Sequence, residues 1–211
     1  MRFRLPLGRT AFVAAALLFA LTATLPLRFA VDRLGFGARG LTARAATGSV
    51  WAGALGQARL GPVELGDVRA RLNLLPLFLG RARLSLRGAE GGAPVVGAVT
   101  VTRNGFGIDD VSGRFRVGGP LPVAAIDLDD VSAGFAAGRC VRGEGRVRAS
   151  GGGALAGASL AGVVRCDGAA LLLALADAGR NARIELRLFG DGGYRLDSGR
   201  GADRTRFEGR F

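Results

Sequence analysis

The sequence predicts a mainly β protein: one N-terminal transmembrane helix followed by a curved, folded-over antiparallel β-sheet domain. Three observations carry this. An uncharged apolar stretch follows Arg2, Arg4 and Arg9. Beyond residue 40, apolar and polar residues alternate with period two, the spacing of strands with one buried face. Gly is abundant, at 36 residues against 7 Pro, without a collagen-like period, which supplies tight turns and close strand approaches.

The apolar stretch comes first. Residues 10–27 read TAFVAAALLFALTATLPL, 18 residues between Arg9 and Arg28 without a charge. A spanning helix needs about 17–25 apolar residues, so the segment is long enough. The preceding arginines place the N-terminus in the cytoplasm by the positive-inside rule. A cleaved signal peptide shares this layout. Thr22-Ala23-Thr24 is a poor small-residue cleavage site, however, and Pro26-Leu27 prolong the apolar run. The anchor is therefore favoured, and both readings send the rest of the chain across the membrane. The expected organisation is a cytoplasmic tail 1–9, an anchor 10–27, a linker 28–45 and a β-rich domain 46–211.

Within that domain, Ala82, Leu84 and Leu86 alternate with Arg81, Arg83, Ser85 and Arg87. Ile184, Leu186 and Leu188 alternate with Arg183, Glu185 and Arg187. Asn104-Gly105, Asp167-Gly168 and Asp191-Gly192 are hairpin dipeptides. Ten to twelve strands are expected at a spacing of about 8–12 residues. Leu171–Ala178 is ambiguous between strand and short helix. The segment Ile108-Asp109-Asp110-Val111-Ser112 recurs 20 residues later as Leu128-Asp129-Asp130-Val131-Ser132. Such repetition suggests a sheet that grows hairpin by hairpin and does not close into a barrel.

Composition removes much chemistry. The chain has no His, which excludes Ser-His and Cys-His pairs and His-ligated metals. It has no Lys, so its 29 basic residues are all Arg, with neither a Schiff-base nor a Walker lysine. The net charge of +12 is spread along the chain, with one Trp and one Tyr to stack on bases. Nucleic acid is therefore not an expected partner. Gly35-Phe36-Gly37-Ala38-Arg39-Gly40 matches G-x-G-x-x-G but lacks the strand-then-helix context, and reads as a linker. Asp109-Asp110 and Asp129-Asp130 could ligate Ca²⁺ or act as acid and base. Neighbours on a strand point to opposite faces, so turn or strand-start carboxylates are favoured. Leu74-Leu75-Pro76-Leu77-Phe78-Leu79 is either core or an exposed apolar patch, with core favoured. Cys140 and Cys166 lie 26 residues apart without C-x-x-C spacing. In an oxidising compartment a structural disulfide is expected. No catalytic residue, cofactor or metal is expected.

One short stretch is distinctive. Gly48-Ser49-Val50-Trp51-Ala52-Gly53 is a small-residue turn leading into a strand, with Trp51 expected to pack inward. It resembles the G-[ST]-[VL]-W-x-G signature of the protein N family of bacterial type II secretion systems. Three later stretches also resemble that family. They are the apolar run Leu74–Gly80 before Arg81, Cys140 through Cys166-Asp167-Gly168, and Asp191-Gly192-Gly193-Tyr194. The Trp motif is also similar to that of AsmA-like β-rich lipid-transport proteins. The first resemblance implies a non-enzymatic inner-membrane component with a periplasmic domain. It would assist export of folded proteins across the outer membrane, with other secretion components as partners. The second implies a periplasmic lipid-binding or lipid-transfer module, with lipid as partner.

Overall fold

Short apolar side chains alternating with arginines build a ladder of strands. The computed structural model describes residues 11–13, 16, 20, 24, 26–27, 41–88, 95–118, 122–179, 181–201 and 203–210. Among these, fourteen strands occur. They are β1 Leu41–Thr42, β2 Ala45–Gly48, β3 Ala52–Leu60, β4 Val63–Asn73, β5 Arg81–Gly88, β6 Val96–Thr102 and β7 Gly105–Val117. There follow β8 Val123–Ala136, β9 Arg139–Gly151, β10 Ser159–Asp167, β11 Ala170–Ala176, β12 Ala182–Leu188, β13 Gly193–Arg200 and β14 Asp203–Arg210. All join one antiparallel sheet in chain order from β3 to β14, with β1 and β2 both on the outer side of β3.

No pairing joins β1 or β2 to β14 among the described residues, so the described sheet is open. Its last strand carries Asp203, Arg204, Arg206, Glu208 and Arg210. Charges on an edge strand oppose pairing with another chain.

Cross-strand rows show how the faces separate. Leu128, Val147, Gly162, Leu175 and Ile184 are successive register partners across β8 to β12. Val164, Leu173, Leu186, Leu196 and Phe207 form the next row, across β10 to β14. Val147, Val164, Leu175, Ile184 and Leu196 of these rows belong to the buried cluster, with Leu155 and Leu160 beside them. The other face carries rows such as Arg114, Asp127 and Arg148.

Of the ambiguous run Leu171–Ala178, residues 171–176 belong to strand β11, paired on both sides. Its sequence looks helical because it is apolar on both faces. Leu172 shares a row with Arg165 and Arg187, yet it is only 3% exposed. Arginine stems can cover apolar surface while their guanidinium groups stay in water.

The sheet curls at its C-terminal half. A Cβ placed on Gly190, after β12, would fall 2.7 Å from backbone atoms of Gly138, after β8. In the N-terminal half, β4 pairs with β5 and also, through Val63 and Glu64, with Val117 and Arg116 of β7. The β5–β6 hairpin therefore fills a gap that β4 and β7 close beyond it.

The repeat expected to mark sheet growth does something different. Its two copies lie on neighbouring strands and pair with each other, Val111 opposite Val131. An antiparallel pair carrying the same residues has local two-fold symmetry. Of the expected anchor, Ala11, Phe12, Val13, Ala16 and Ala20 are helical where described. No helix among the described residues is long and apolar enough to cross a membrane. The Gly35–Gly40 match lies outside the described residues.

Candidate functional site

Strand direction decides which segments meet. β2, β4, β6, β8, β10, β12 and β14 all end on one edge of the sheet, where β3, β5, β7, β9, β11 and β13 begin. Every segment resembling the secretion family therefore lies along a single edge. These are the Gly48–Gly53 turn, the Leu74–Gly80 connection, the Cys140 and Cys166 strand ends, and the Asp191–Tyr194 turn.

The Gly48–Gly53 turn is tightly bonded. Gly48 and Gly53 are register partners closing β2 onto β3. Gly48 has φ +83°, a conformation natural to glycine. The Ser49 N–H donates to the Ala52 carbonyl at 3.1 Å, and the Ala52 N–H donates to Ser49 Oγ at 3.3 Å. The Leu72 N–H of β4 donates to the Trp51 carbonyl at 3.2 Å. Trp51 is half-buried and lies outside the buried cluster. The expectation of an inward-packed core aromatic is thus corrected: Trp51 occupies the turn itself, not the strand that follows.

The turn also holds the foot of the N-terminal segment. Pro26 makes an isolated antiparallel bridge to Ser49. A Cβ on Gly53 would fall 2.6 Å from Leu27 Cδ2 and 2.8 Å from the Thr47 carbonyl oxygen. Only glycine leaves room for Leu27 there.

Two strands along, Leu74–Phe78 forms one short helical turn with no buried residue. Leu75, Phe78 and Leu79 are 79%, 87% and 76% exposed. The favoured core reading of this run is corrected: Pro76 and the two-residue return to Arg81 lift it off the sheet. Beside it is a groove of about 710 Å³ whose lining includes Gly53, Arg69, Arg71, Ser85 and Arg87.

Cys140 and Cys166 form a disulfide with a Cα–Cα distance of 5.6 Å. The β9–β10 ladder reaches only Arg146↔Val163 towards this edge. The bridge holds the two strands together where their ladder has ended. At the next turn, Asp191 accepts from the Gly193 N–H at 2.9 Å and from Arg210 at 2.7 Å. First the Gly193 N–H and then the Arg210 guanidinium hold its carboxyl below the usual range.

A family model described as type II secretion system (T2SS), protein N matches residues 39–206. The chain belongs to the type II secretion system protein N family. No curated protein and no solved structure matches it.

The acidic pairs of this protein N family member are structural. Asp109 accepts from Arg83 at 3.0 Å, Thr100 at 2.7 Å and Arg142 at 3.2 Å. Asp129 is paired with Arg146. Asp110 and Asp130 have φ +51° and +55°, the left-handed region that Asp tolerates better than most residues. Both sit at bulges inside β7 and β8 rather than at strand starts. The Asp110 N–H donates to Ser132 Oγ and the Asp130 N–H to Ser112 Oγ, each at 2.9 Å. Among the described residues, no group of acidic or sulfur side chains could hold a metal ion.

Sequence reading missed the seat of Pro26 and Leu27 and the Arg69–Arg71–Arg87 groove. Neither has a local pattern. The reciprocal serine bonds did have one, the repeated Asp-Asp-Val-Ser.

Proposed function

We propose that this chain is a non-enzymatic inner-membrane component of the type II secretion machine that assists export of folded periplasmic proteins across the outer membrane. The family match over residues 39–206 carries the reading. The Cys140–Cys166 disulfide agrees with a periplasmic domain, because disulfides persist in oxidising compartments. Residues 10–27 act as the anchor, residues 1–9 stay cytoplasmic, and the 46–211 domain meets other envelope components of the machine. The test is the distribution of a secreted protein between periplasm and medium in a strain lacking this gene. Its accumulation in the periplasm, reversed by complementation, is expected. Unchanged export would refute the reading.

One observation favours a second reading, an AsmA-like lipid module. On β3 to β6 the apolar side chains Leu55, Leu72, Leu84, Leu86 and Val99 are only half-buried. That face could hold an acyl chain.

A further inference from the structure

We infer that the edge bearing the Gly48–Gly53 turn lies on the phospholipid surface that the anchor enters, with Leu75, Phe78 and Leu79 inserted among the acyl chains. The inference rests on the proposed membrane anchor and specifies which end of the domain meets the membrane.

The chain itself argues for this occupant. The segment leaving residues 10–27 reaches the sheet at this edge, through Pro26 on Ser49 and Leu27 against Gly53. An edge joined to the end of a spanning segment sits within reach of the bilayer. The apolar loop is connected to that place through β4, whose Leu72 N–H bonds the Trp51 carbonyl. Exposed apolar side chains continue along the same edge with Val101, Phe106, Val141 and Phe189. Among the described residues, the opposite edge offers only Leu60 and Val96. A contiguous apolar patch exposed on one side marks a protein or membrane contact. The seat of the anchor chooses the membrane.

Charge agrees. Arg81 and Arg103 are exposed at this edge, and the groove of Arg69, Arg71 and Arg87 is also lined by Gly48, Ala52 and Gly53 of the turn. Basic residues next to an inserted apolar segment favour anionic headgroups. Trp51 stands at the level where tryptophans concentrate between headgroups and hydrocarbon.

The single tryptophan allows a direct test. The full chain is reconstituted in phosphatidylethanolamine–phosphatidylglycerol vesicles whose acyl chains carry bromine. Three double variants move the fluorophore: Trp51→Phe with Phe78→Trp, with Leu75→Trp, or with Leu60→Trp at the opposite edge. The expected result is loss of emission for the Phe78→Trp and Leu75→Trp variants and retained emission for Leu60→Trp. Equal emission from all three, in a chain that stays with the vesicles at alkaline pH, overturns the inference and leaves the anchor intact. Release of the chain at alkaline pH overturns both. Shielding of position 78 only when other secretion components are added also overturns it, and assigns the patch to a protein partner.

Discussion

Ser132 shows how much one residue can hold. It is 1% exposed, accepts from the Asp110 N–H at 2.9 Å and donates to Asp110 Oδ1 at 3.2 Å. Its counterpart Ser112, itself only half-buried, makes the same backbone bond to Asp130. An unmade buried bond costs about 1–3 kcal/mol, whereas a donor that water can reach loses much less. Ser132→Ala should therefore lower stability in a denaturant titration by about 1–3 kcal/mol, and Ser112→Ala by clearly less. Equal losses would mean that the two-fold arrangement, not burial, sets the energy. Gly145 on β9 explains why the bulges fit. It has φ +107°, and a Cβ there would lie 2.5 Å from the Asp130 carbonyl oxygen and from Val131 Cα. These side chains were legible as a repeat in the sequence. Their pairing was not, because a repeat records what is copied and not which copies touch. On the opposite face, Arg114 binds Asp127 through two bonds of 2.9 Å and holds its carboxyl below the usual range.

At the scale of elements, the alternation marked most strands, and the hairpin dipeptides fell within a residue of the observed turns. Asn104-Gly105 is in fact a loop of Arg103-Asn104, with Gly105 already paired to Thr102. Asp167-Gly168 is likewise displaced, since Asp167 pairs with Ala170. Ala137-Gly138 closes β8 onto β9 with φ +48° and +75°, a turn that one glycine did not announce. The disulfide belongs at this scale because it joins β9 and β10 beyond their ladder. Cross-linking a loop of this size stabilises a fold by roughly 3 kcal/mol. Cys140→Ser should lower the thermal midpoint and remove the mobility difference between reduced and unreduced chain on a gel. If neither changes, the bridge does not form in the cell.

For the whole molecule, the sheet is well covered at one end of the chain and less so at the other. The buried cluster draws on β8 to β13, where the curl brings Gly190 to Gly138. The apolar face of β3 to β6 buries Val68 and Ala70, whereas its Leu55, Leu72, Leu84, Leu86 and Val99 stay half-buried. If its role is structural, the full chain purified in detergent carries no stoichiometric lipid by native mass spectrometry beyond what the anchor retains. A lipid that stays bound and is lost in Leu84→Arg would instead favour the lipid module. The sequence by itself determined the β class, the disulfide and the family resemblance. Those rest on periodicity, composition and short motifs, which are local. Tertiary structure alone decided that Leu74–Leu79 is exposed, that Trp51 sits in a turn, and that four separated motifs share one edge. Edge membership depends on the direction of every intervening strand, and exposure depends on what the rest of the chain places opposite. Neither quantity is written in any single segment.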